Sequence, residues 1–470
     1  MRPGTASAGV SGPWGAGSCN DEKVGGTVMT KLFGHSVRSH MLALYLAETV
    51  VCFVTIYALF RSGLAGTAQA VATTKGLALL ALLALSSGMI ASAAGLYQRD
   101  ALRRLGRFLA GSCIAAGLLF LVANALLFLL DPGLAGTARW NALALVLAGL
   151  VTAMMVTHLT FAAAMQRGLW RHRLAVLRGA ERGLAAGDDG FDVVLTGTAA
   201  EAEGEGFAPG ALAARRVWAV IVPEAAAVAE ARRAAWAAAG IRVFTAAEFA
   251  EQRTNRLDLA SLRPGWLDDV KAPGRVEAAV RRGIDIAGSL ALVVLTLPVS
   301  LIAALAIRLD SPGPVLYRQE RVGQGGRVFT LYKFRSMRVD AEASGAPLWA
   351  AKGDPRVTRV GRFLRLTRID EIPQVLNVLR GDMALVGPRP ERPAFVATLA
   401  AAIPHYEDRH RVRPGITGWA QVNYPYGASV EDARMKLAYD LYYVKHRSLF
   451  LDLLILIATV RVVLFQEGSR

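Results

Sequence analysis

Four long apolar runs fill most of the first third of this chain, and they limit its fold more than any other feature. They cover roughly residues 41–60, 76–97, 108–130 and 140–165. A helix needs about 20 apolar residues to cross the hydrocarbon core of a bilayer, and each run is that long. A buried helix of a soluble domain rarely stays apolar all round over such a length. Polar or Gly/Pro punctuation follows the runs, as in "DPG" at 131–133. The sequence therefore predicts a bundle of four membrane-spanning helices over 41–170.

Orientation follows from the lysines and arginines of the short connections. One side carries Lys31, Arg38, Arg99, Arg103, Arg104, Arg107, Arg167, Arg171, Arg173 and Arg178. The other carries only Arg61, Lys75 and Arg139. The basic side is expected to be cytoplasmic, so everything after the fourth run faces the cytoplasm. Residues 1–28 are rich in Gly, Ser and Ala and have no apolar core, so they read neither as a signal peptide nor as a folded segment. Met29 reads as an alternative start, and 1–40 as a disordered N-terminus and lead-in. Cys19, Cys52 and Cys113 have no metal-type spacing and suggest no disulfide framework. The formal net charge of +16 calls for anionic partners. Because the basic residues cluster beside apolar segments, they favour a phospholipid surface and phosphate over nucleic acid.

From 171 to 270 the pattern changes. Short β-like runs at 173–177, 191–196, 217–222 and 241–244 alternate with Ala-rich stretches, the clearest being a helix over 224–240 closed by Gly240. Such alternation predicts a small parallel α/β layer, Rossmann-like but degenerate. The G-x-G-x-x-G fingerprint is missing, and "GAERG" at 179–183 is a weak substitute, so the segment reads as a structural or regulatory module without a dinucleotide. "RPGWLDDV" at 263–270 reads as a linker to the next domain, 271–470.

That domain opens on another apolar run, 286–307, with Pro298 near its middle, Arg281, Arg282 and Asp285 before it and Arg308 and Asp310 after it. A proline inside a helix removes a hydrogen bond and favours a kink. Charges at both ends fit a bent helix, about 283–308, that enters and returns on one face; a fifth crossing is the competing reading. Residues 314–338 read as two short strands around "GQGG" (323–326), ending in Lys333, Arg335 and Arg338, which suit either a phosphate pocket or a charged surface.

The densest chemistry lies in "LRLTRIDEIPQVLNVLRGDMALVGPRPERP", 364–393. Asp370 is expected at a helix start, with Pro373 in the first turn, an apolar face of Ile372, Val375, Leu376 and Leu379, and Gly381 as the stop. Free N–H groups there and Arg365 and Arg368 nearby would keep the aspartate ionised and would also welcome a phosphate. A plain helix cap would account for Asp370 alone. It would not account for Arg389, which the prolines of "GPRP" (387–390) present from a stiff loop suited to planar recognition of phosphate. An excess of arginine around one acidic pair points to an additional polyanion. A carboxylate can attack phosphorus to give an acyl phosphate, and Asp370 with Glu371 beside phosphates is a natural seat for Mg²⁺.

From Arg281 to the C-terminus the sequence resembles the bacterial sugar transferases, the polyprenyl-phosphate glycosylphosphotransferases, in their large exopolysaccharide-type form. The residues that carry the resemblance are "KFRSMR" (333–338), "DPRVTRVGRFLR" (354–365), "IDEIPQ" (369–374), "GDMALVGPRPERP" (381–393) and "RPGITGWAQVNY" (413–424). The resemblance implies an α+β monotopic catalytic domain with a re-entrant membrane helix broken near Pro298. There Leu297 replaces the serine that often precedes the proline. It also implies a ping-pong reaction: Asp370 attacks the sugar-bearing phosphate of a UDP-sugar, UMP leaves, and undecaprenyl phosphate takes the phosphosugar. Glu371 would assist with Mg²⁺ and geometry, and Lys333, Arg335, Arg365, Arg368 and Arg389 would hold phosphates. The implied partners are a UDP-sugar, undecaprenyl phosphate and the bilayer, with a homodimer left open. A non-catalytic scaffold of a polysaccharide assembly complex and a glycosyltransferase that releases UDP are the competing functions. The final run, 448–465, contains Asp452 and Arg461 and reads as packed on the catalytic domain rather than as a span.

Overall fold

The computed structural model describes residues 29–32, 35–64, 72–97, 105–133, 136–167, 171–181, 190–268, 273–339, 354–425 and 429–465, with a few single positions between them. The readings of residues 1–28 and of Arg99, Arg103 and Arg104 lie outside these residues. A short antiparallel hairpin, β1 (Met29–Leu32) and β2 (His35–Arg38), leads into the first helix.

The four apolar runs form helices over Ser39–Arg61, Thr74–Ala93, Leu105–Leu130 and Gly136–Gln166. The first helix packs on the second and fourth, and the third on the second and fourth, so the four close a ring. Cys52, Ile56, Leu80, Leu119, Leu143 and Leu150 fill its centre, while Val50, Val54, Leu121 and Leu159 face outward. One polar cluster is buried in the bundle. The His158 ring nitrogen Nε2 lies 3.0 Å from Glu48 Oε2, and the Tyr97 hydroxyl donates to the same oxygen at 2.8 Å.

The middle segment is a four-stranded parallel sheet of β3 (His172–Leu177), β4 (Phe191–Gly197), β5 (Val217–Val222) and β6 (Arg242–Thr245), in the order β4-β3-β5-β6. The helix expected over 224–240 is divided into a single turn at Ala225–Ala227 and a helix at Glu230–Ala238. A helix over Ala246–Thr254 follows, started by a capping box of Thr245 and Glu248. The stretch read as a linker is instead laid onto the next domain. Leu257 and Leu267 are buried in that domain's core, and Trp266 donates to Asp408 at 2.9 Å.

A 36-residue helix, Arg275–Asp310, opens the C-terminal domain, about 54 Å long at the usual helical rise. It is helical through Pro298, so the expected limits of 283–308 fall inside it and the proline does not break it. It is one of five described helices long and apolar enough to cross a membrane. Both of its ends rest on the same domain. Near the start, Arg282 donates to the Val378 and Leu379 carbonyls at 2.6 and 2.7 Å, and Asp285 accepts from Leu385 N–H at 2.9 Å. Near the end, Ala303 and Ile307 pack on Phe334 and Leu364, and Asp310 accepts from Val360 N–H. Between them Val294, Leu295, Leu301 and Ile302 are exposed.

The rest of the domain comprises an antiparallel hairpin, β7 (Leu316–Val322) and β8 (Val328–Phe334), two short parallel strands, β9 (Ala384–Val386) and β10 (Gly415–Thr417), and helices at Arg359–Leu366, Val375–Arg380, Pro393–Ala402, Trp419–Asn423, Val430–His446 and Leu449–Leu464. The hairpin turns on Gly325 and Gly326, both at positive φ. The last helix buries Leu451 and Ile455 in the domain core and also packs on the second helix of the bundle.

Candidate active site

Two motifs far apart in sequence are joined by the β9–β10 pair, Ala384 opposite Gly415 and Val386 opposite Thr417. Gly387 has to be glycine there, because a Cβ would run into the carbonyl of Arg413 and the backbone of Gly415. This close approach sets the start of the "GPRP" loop. Three further bonds hold it: Arg321 donates to the Pro390 carbonyl at 2.9 Å, Val322 N–H to the Glu391 carbonyl at 2.9 Å, and Arg409 to the Arg389 carbonyl at 2.9 Å.

The acidic pair approaches from the other side. Arg368 takes a left-handed conformation at φ 60°, and a 3-10 turn runs over Ile369–Gln374 before the Val375–Arg380 helix, which ends at Gly381 with φ 95°. The single helix expected from Asp370 is thus a tight turn plus a short helix. The buried face shifts with it: Val375, Asn377 and Val378 point inward, and Leu376 is exposed. Asn377 fastens this unit to β8, accepting from Tyr332 N–H at 3.1 Å and donating to the Thr330 carbonyl at 2.7 Å. That contact sets Lys333, at the end of β8, opposite the acidic pair.

The two acids sit in different surroundings. Glu371 accepts two hydrogen bonds from the Arg389 guanidinium, at 2.6 and 3.3 Å, and one from Lys333 at 3.3 Å, with Arg368 at 3.8 Å. Burial works against its charge, but Arg389 and Lys333 hold its carboxyl well below the usual range. Asp370 is only 7% exposed. Among the described residues no side chain donates to it. Burial is the largest influence on it and pushes its carboxyl up to about 6; the charge of Glu371 adds to this, and Lys333, Arg389 and Arg365 oppose it. The sequence placed Asp370 in a field that keeps it fully ionised. Desolvation moves its titration close to neutrality instead. Neighbouring carboxyls whose titrations are driven apart mark a division of labour. Here Glu371 anchors the cations, and Asp370 keeps its oxygens unencumbered.

Both acids line one cleft of ≈ 870 Å³, together with Lys333, Arg335, Arg365, Arg368 and Arg389. The Arg365 guanidinium has no hydrogen-bond or ion-pair partner among the described residues. Arg335 differs from the rest. Its guanidinium donates to the carbonyls of Pro312 at 2.6 Å and Ser311 at 2.7 Å and to the Ser311 hydroxyl at 3.0 Å, so it clamps the end of the long helix instead of facing a ligand. The cleft lining also contains Arg409, Lys436 and Asp440, and the cleft reaches Leu292 on the long helix and Val462 on the last one. None of these wall residues was singled out from the sequence. They are isolated positions with no local motif, brought in by long-range packing.

No group of three or more metal-ligating side chains occurs among the described residues. Glu371, expected as a ligand, has its carboxylate committed to Arg389 and Lys333. Asp370 retains free acceptor oxygens, and Mg²⁺ usually binds through one or two carboxylates plus substrate phosphates. The residues therefore suit a Mg²⁺ held by Asp370 with substrate, but not a protein-only cage.

Fold and site together define a membrane-associated domain built around an acid pair and a phosphate-type cation cluster. The profile of the family described as "Bacterial sugar transferase" matches residues 276–466. The chain is 46% identical over 234 residues to the UDP-N-acetylgalactosamine-undecaprenyl-phosphate N-acetylgalactosaminephosphotransferase of Aeromonas hydrophila, covering 50% of this chain and 55% of that protein. It is 45% identical over 213 residues to the UDP-glucose:undecaprenyl-phosphate glucose-1-phosphate transferase of Caulobacter vibrioides, covering 45% and 78%. It is 42% identical over 190 residues to the "Exopolysaccharide production protein PSS" of Rhizobium leguminosarum bv. phaseoli, covering 39% and 95%. The chain belongs to the bacterial sugar transferase family.

Proposed function

We propose that this protein transfers a sugar 1-phosphate from a UDP-sugar to undecaprenyl phosphate, releasing UMP, through a phosphosugar carried on Asp370. The observation that carries this reading is the asymmetry of the acid pair. Asp370 lies buried in the cleft with its oxygens free, while the cations beside it converge on Glu371.

In the first half-reaction a carboxylate oxygen of Asp370 attacks the sugar-bearing phosphorus. The bond from that phosphorus to the bridging oxygen breaks, and UMP leaves with that oxygen. In the second half an oxygen of undecaprenyl phosphate attacks the same phosphorus, the bond to Asp370 breaks, and the carboxylate is restored. Arg389, Lys333 and Arg368, held in place by Glu371, offset the charge of the diphosphate, and Arg365 is available to it directly. A Mg²⁺ held by Asp370 and substrate phosphate would supply further charge neutralisation.

The membrane setting supports the same reading. Both ends of the Arg275–Asp310 helix rest on one domain, while its middle exposes aliphatic side chains. Such a helix suits insertion into one leaflet with both of its ends on the same face. The arginine bias of the bundle connections makes that face the cytoplasmic one, where a UDP-sugar and a lipid phosphate meet. The relatives' names mention two sugars, and one of them mentions exopolysaccharide production. The reaction would therefore be the first membrane step of building a polysaccharide repeat unit.

Purified chain in lipid nanodiscs, given undecaprenyl phosphate and either UDP-glucose or UDP-N-acetylgalactosamine, tests this. Release of UMP with formation of a lipid-linked diphosphosugar is expected. Release of UDP would make the protein a glycosyltransferase, and no turnover with any UDP-sugar would favour a scaffold.

A further inference from the structure

The α/β module is not held to the catalytic domain by a flexible tether. Its last helix, Ala246–Thr254, ends at Asn255, which takes the left-handed conformation at φ 51°, ψ 41°. Asparagine tolerates this region better than most residues. The turn directs two acceptors at two different elements of the catalytic domain. The Asn255 carbonyl accepts from the Trp419 indole N–H at 2.8 Å, and the side-chain oxygen accepts from the Tyr442 hydroxyl at 3.1 Å. The Trp419 and Tyr442 rings stack on each other with centroids 6.2 Å apart. Neighbouring contacts reinforce the joint: Leu257 N–H donates to the Ala438 carbonyl at 3.0 Å, and Glu251 accepts from Lys445 at 2.8 Å and contacts His446 at 2.6 Å.

Both receiving elements are walls of the cleft. Trp419 opens the helix whose Ala420, Gln421 and Val422 line it, and Tyr442 lies on the Val430–His446 helix, which presents Lys436 and Asp440 to it. From Asp440 the chain of contacts continues to the acid pair. Buried Asp440 accepts from Arg409 at 2.7 Å, Arg409 donates to the Arg389 carbonyl at 2.9 Å, and Arg389 grips Glu371 at 2.6 Å. The Arg409–Asp440 pair is almost fully buried. Shifting either partner would leave an uncompensated charge, so the pair favours one arrangement strongly.

We propose that Asn255 is a positioning residue for the cleft: through it the α/β module holds helices 419–423 and 430–446 in register and thereby sets the "GPRP" loop that carries Arg389. The module is then part of the catalytic apparatus without contacting substrate. This rests on the reading of the cleft as the phosphosugar-transfer site, but the placement of the loop can be measured independently of turnover.

The test uses the full chain in nanodiscs and three substitutions. Asn255→Gly keeps the left-handed turn and the carbonyl but removes the bond to Tyr442. Tyr442→Phe removes the same bond from the other side. Asn255→Asp keeps an acceptor in place and serves as the rescue. The first readout is hydrogen exchange in residues 386–392, which needs no activity. Faster exchange is expected in Asn255→Gly and Tyr442→Phe, with return toward parent protection in Asn255→Asp. The second readout is the KM for UDP-sugar, expected to rise roughly two- to thirtyfold in the first two variants, the range that such couplings reach. Parent-level exchange in residues 386–392 in both Asn255→Gly and Tyr442→Phe would overturn the proposal whether or not the protein turns over. Faster exchange in the two variants of a parent that releases no UMP from any UDP-sugar would leave the positioning intact and overturn the reading of the site.

Discussion

Asp370 is where the chemistry is most exposed to pH. Burial raises its titration to about 6. As the proposed nucleophile it must be ionised, so the proposed release of UMP should slow as pH drops through about 6 and level off above pH 7. A pH–rate profile on the parent checks this. The stability consequence has the opposite sign. A carboxyl with a raised folded-state titration binds its proton more tightly folded than unfolded, so its contribution to stability declines from about pH 4 to 6 and stays low above. Asp370→Asn should therefore raise the melting temperature at pH 7 while abolishing turnover, a combination that a simple helix cap would not produce. Glu371→Gln should lose most turnover as well, because Arg389 and Lys333 would lose the acid that orients them. Much of this site was legible residue by residue, since Lys333, Arg365, Arg368, Asp370, Glu371 and Arg389 lie in compact motifs and meet in one cleft. Arg335 lines the same cleft, but its guanidinium bonds to the end of the long helix, an engagement with no local signal because Pro312 and Ser311 lie 23 and 24 residues away. Arg409, Asp440 and Asn255 had no local signal for these roles, because the contacts that give them lie 20 to 187 residues apart.

Among the elements, the apolar helices were the most legible, because length and composition alone decide them. Their buried polar cluster was not, since Glu48, Tyr97 and His158 stand singly in sequence. His158→Ala would leave buried Glu48 with Tyr97 as its remaining partner, and leaving a buried polar group short of a hydrogen bond costs about 1–3 kcal/mol. Thermal unfolding in detergent should show a clear drop for His158→Ala and a smaller one for Glu48→Gln. The long helix carries the topological prediction. Single cysteines at Val276 and Leu309, both strongly exposed and near opposite ends of the helix, should be shielded alike from a membrane-impermeant thiol reagent in intact cells once Cys19, Cys52 and Cys113 are replaced. Labelling of the Leu309 site alone from outside would mean that the helix crosses. The helix expected from Asp370 to Arg380 was right in its stop at Gly381 and wrong in its phase, because the 3-10 turn through Pro373 winds the chain more tightly than an α-helix and shifts which residues face inward.

At the scale of the whole molecule, the order of bundle, α/β layer and C-terminal domain could be read from changes in hydrophobic periodicity. The joints between these parts could not. "RPGWLDDV" has the Pro/Gly composition of a linker, yet Trp266 and Leu267 are packed against the catalytic domain. Local composition does not distinguish a loose connection from one laid on a neighbour. The last helix likewise joins bundle and cleft, with Arg461 beside Gly95 and donating to the Val422 carbonyl at 3.2 Å. In the proposed account the chemistry lies at one face of the membrane around one nucleophile, and a single measurement tests that account most directly. The parent chain is given a UDP-sugar labelled in the sugar and no lipid acceptor. It should release about one UMP per protein and retain the label on itself until undecaprenyl phosphate is added, and Asp370→Asn protein should retain none. A parent that turns over without ever retaining label, or an Asp370→Asn protein that releases UMP at the parent's rate, would contradict the account.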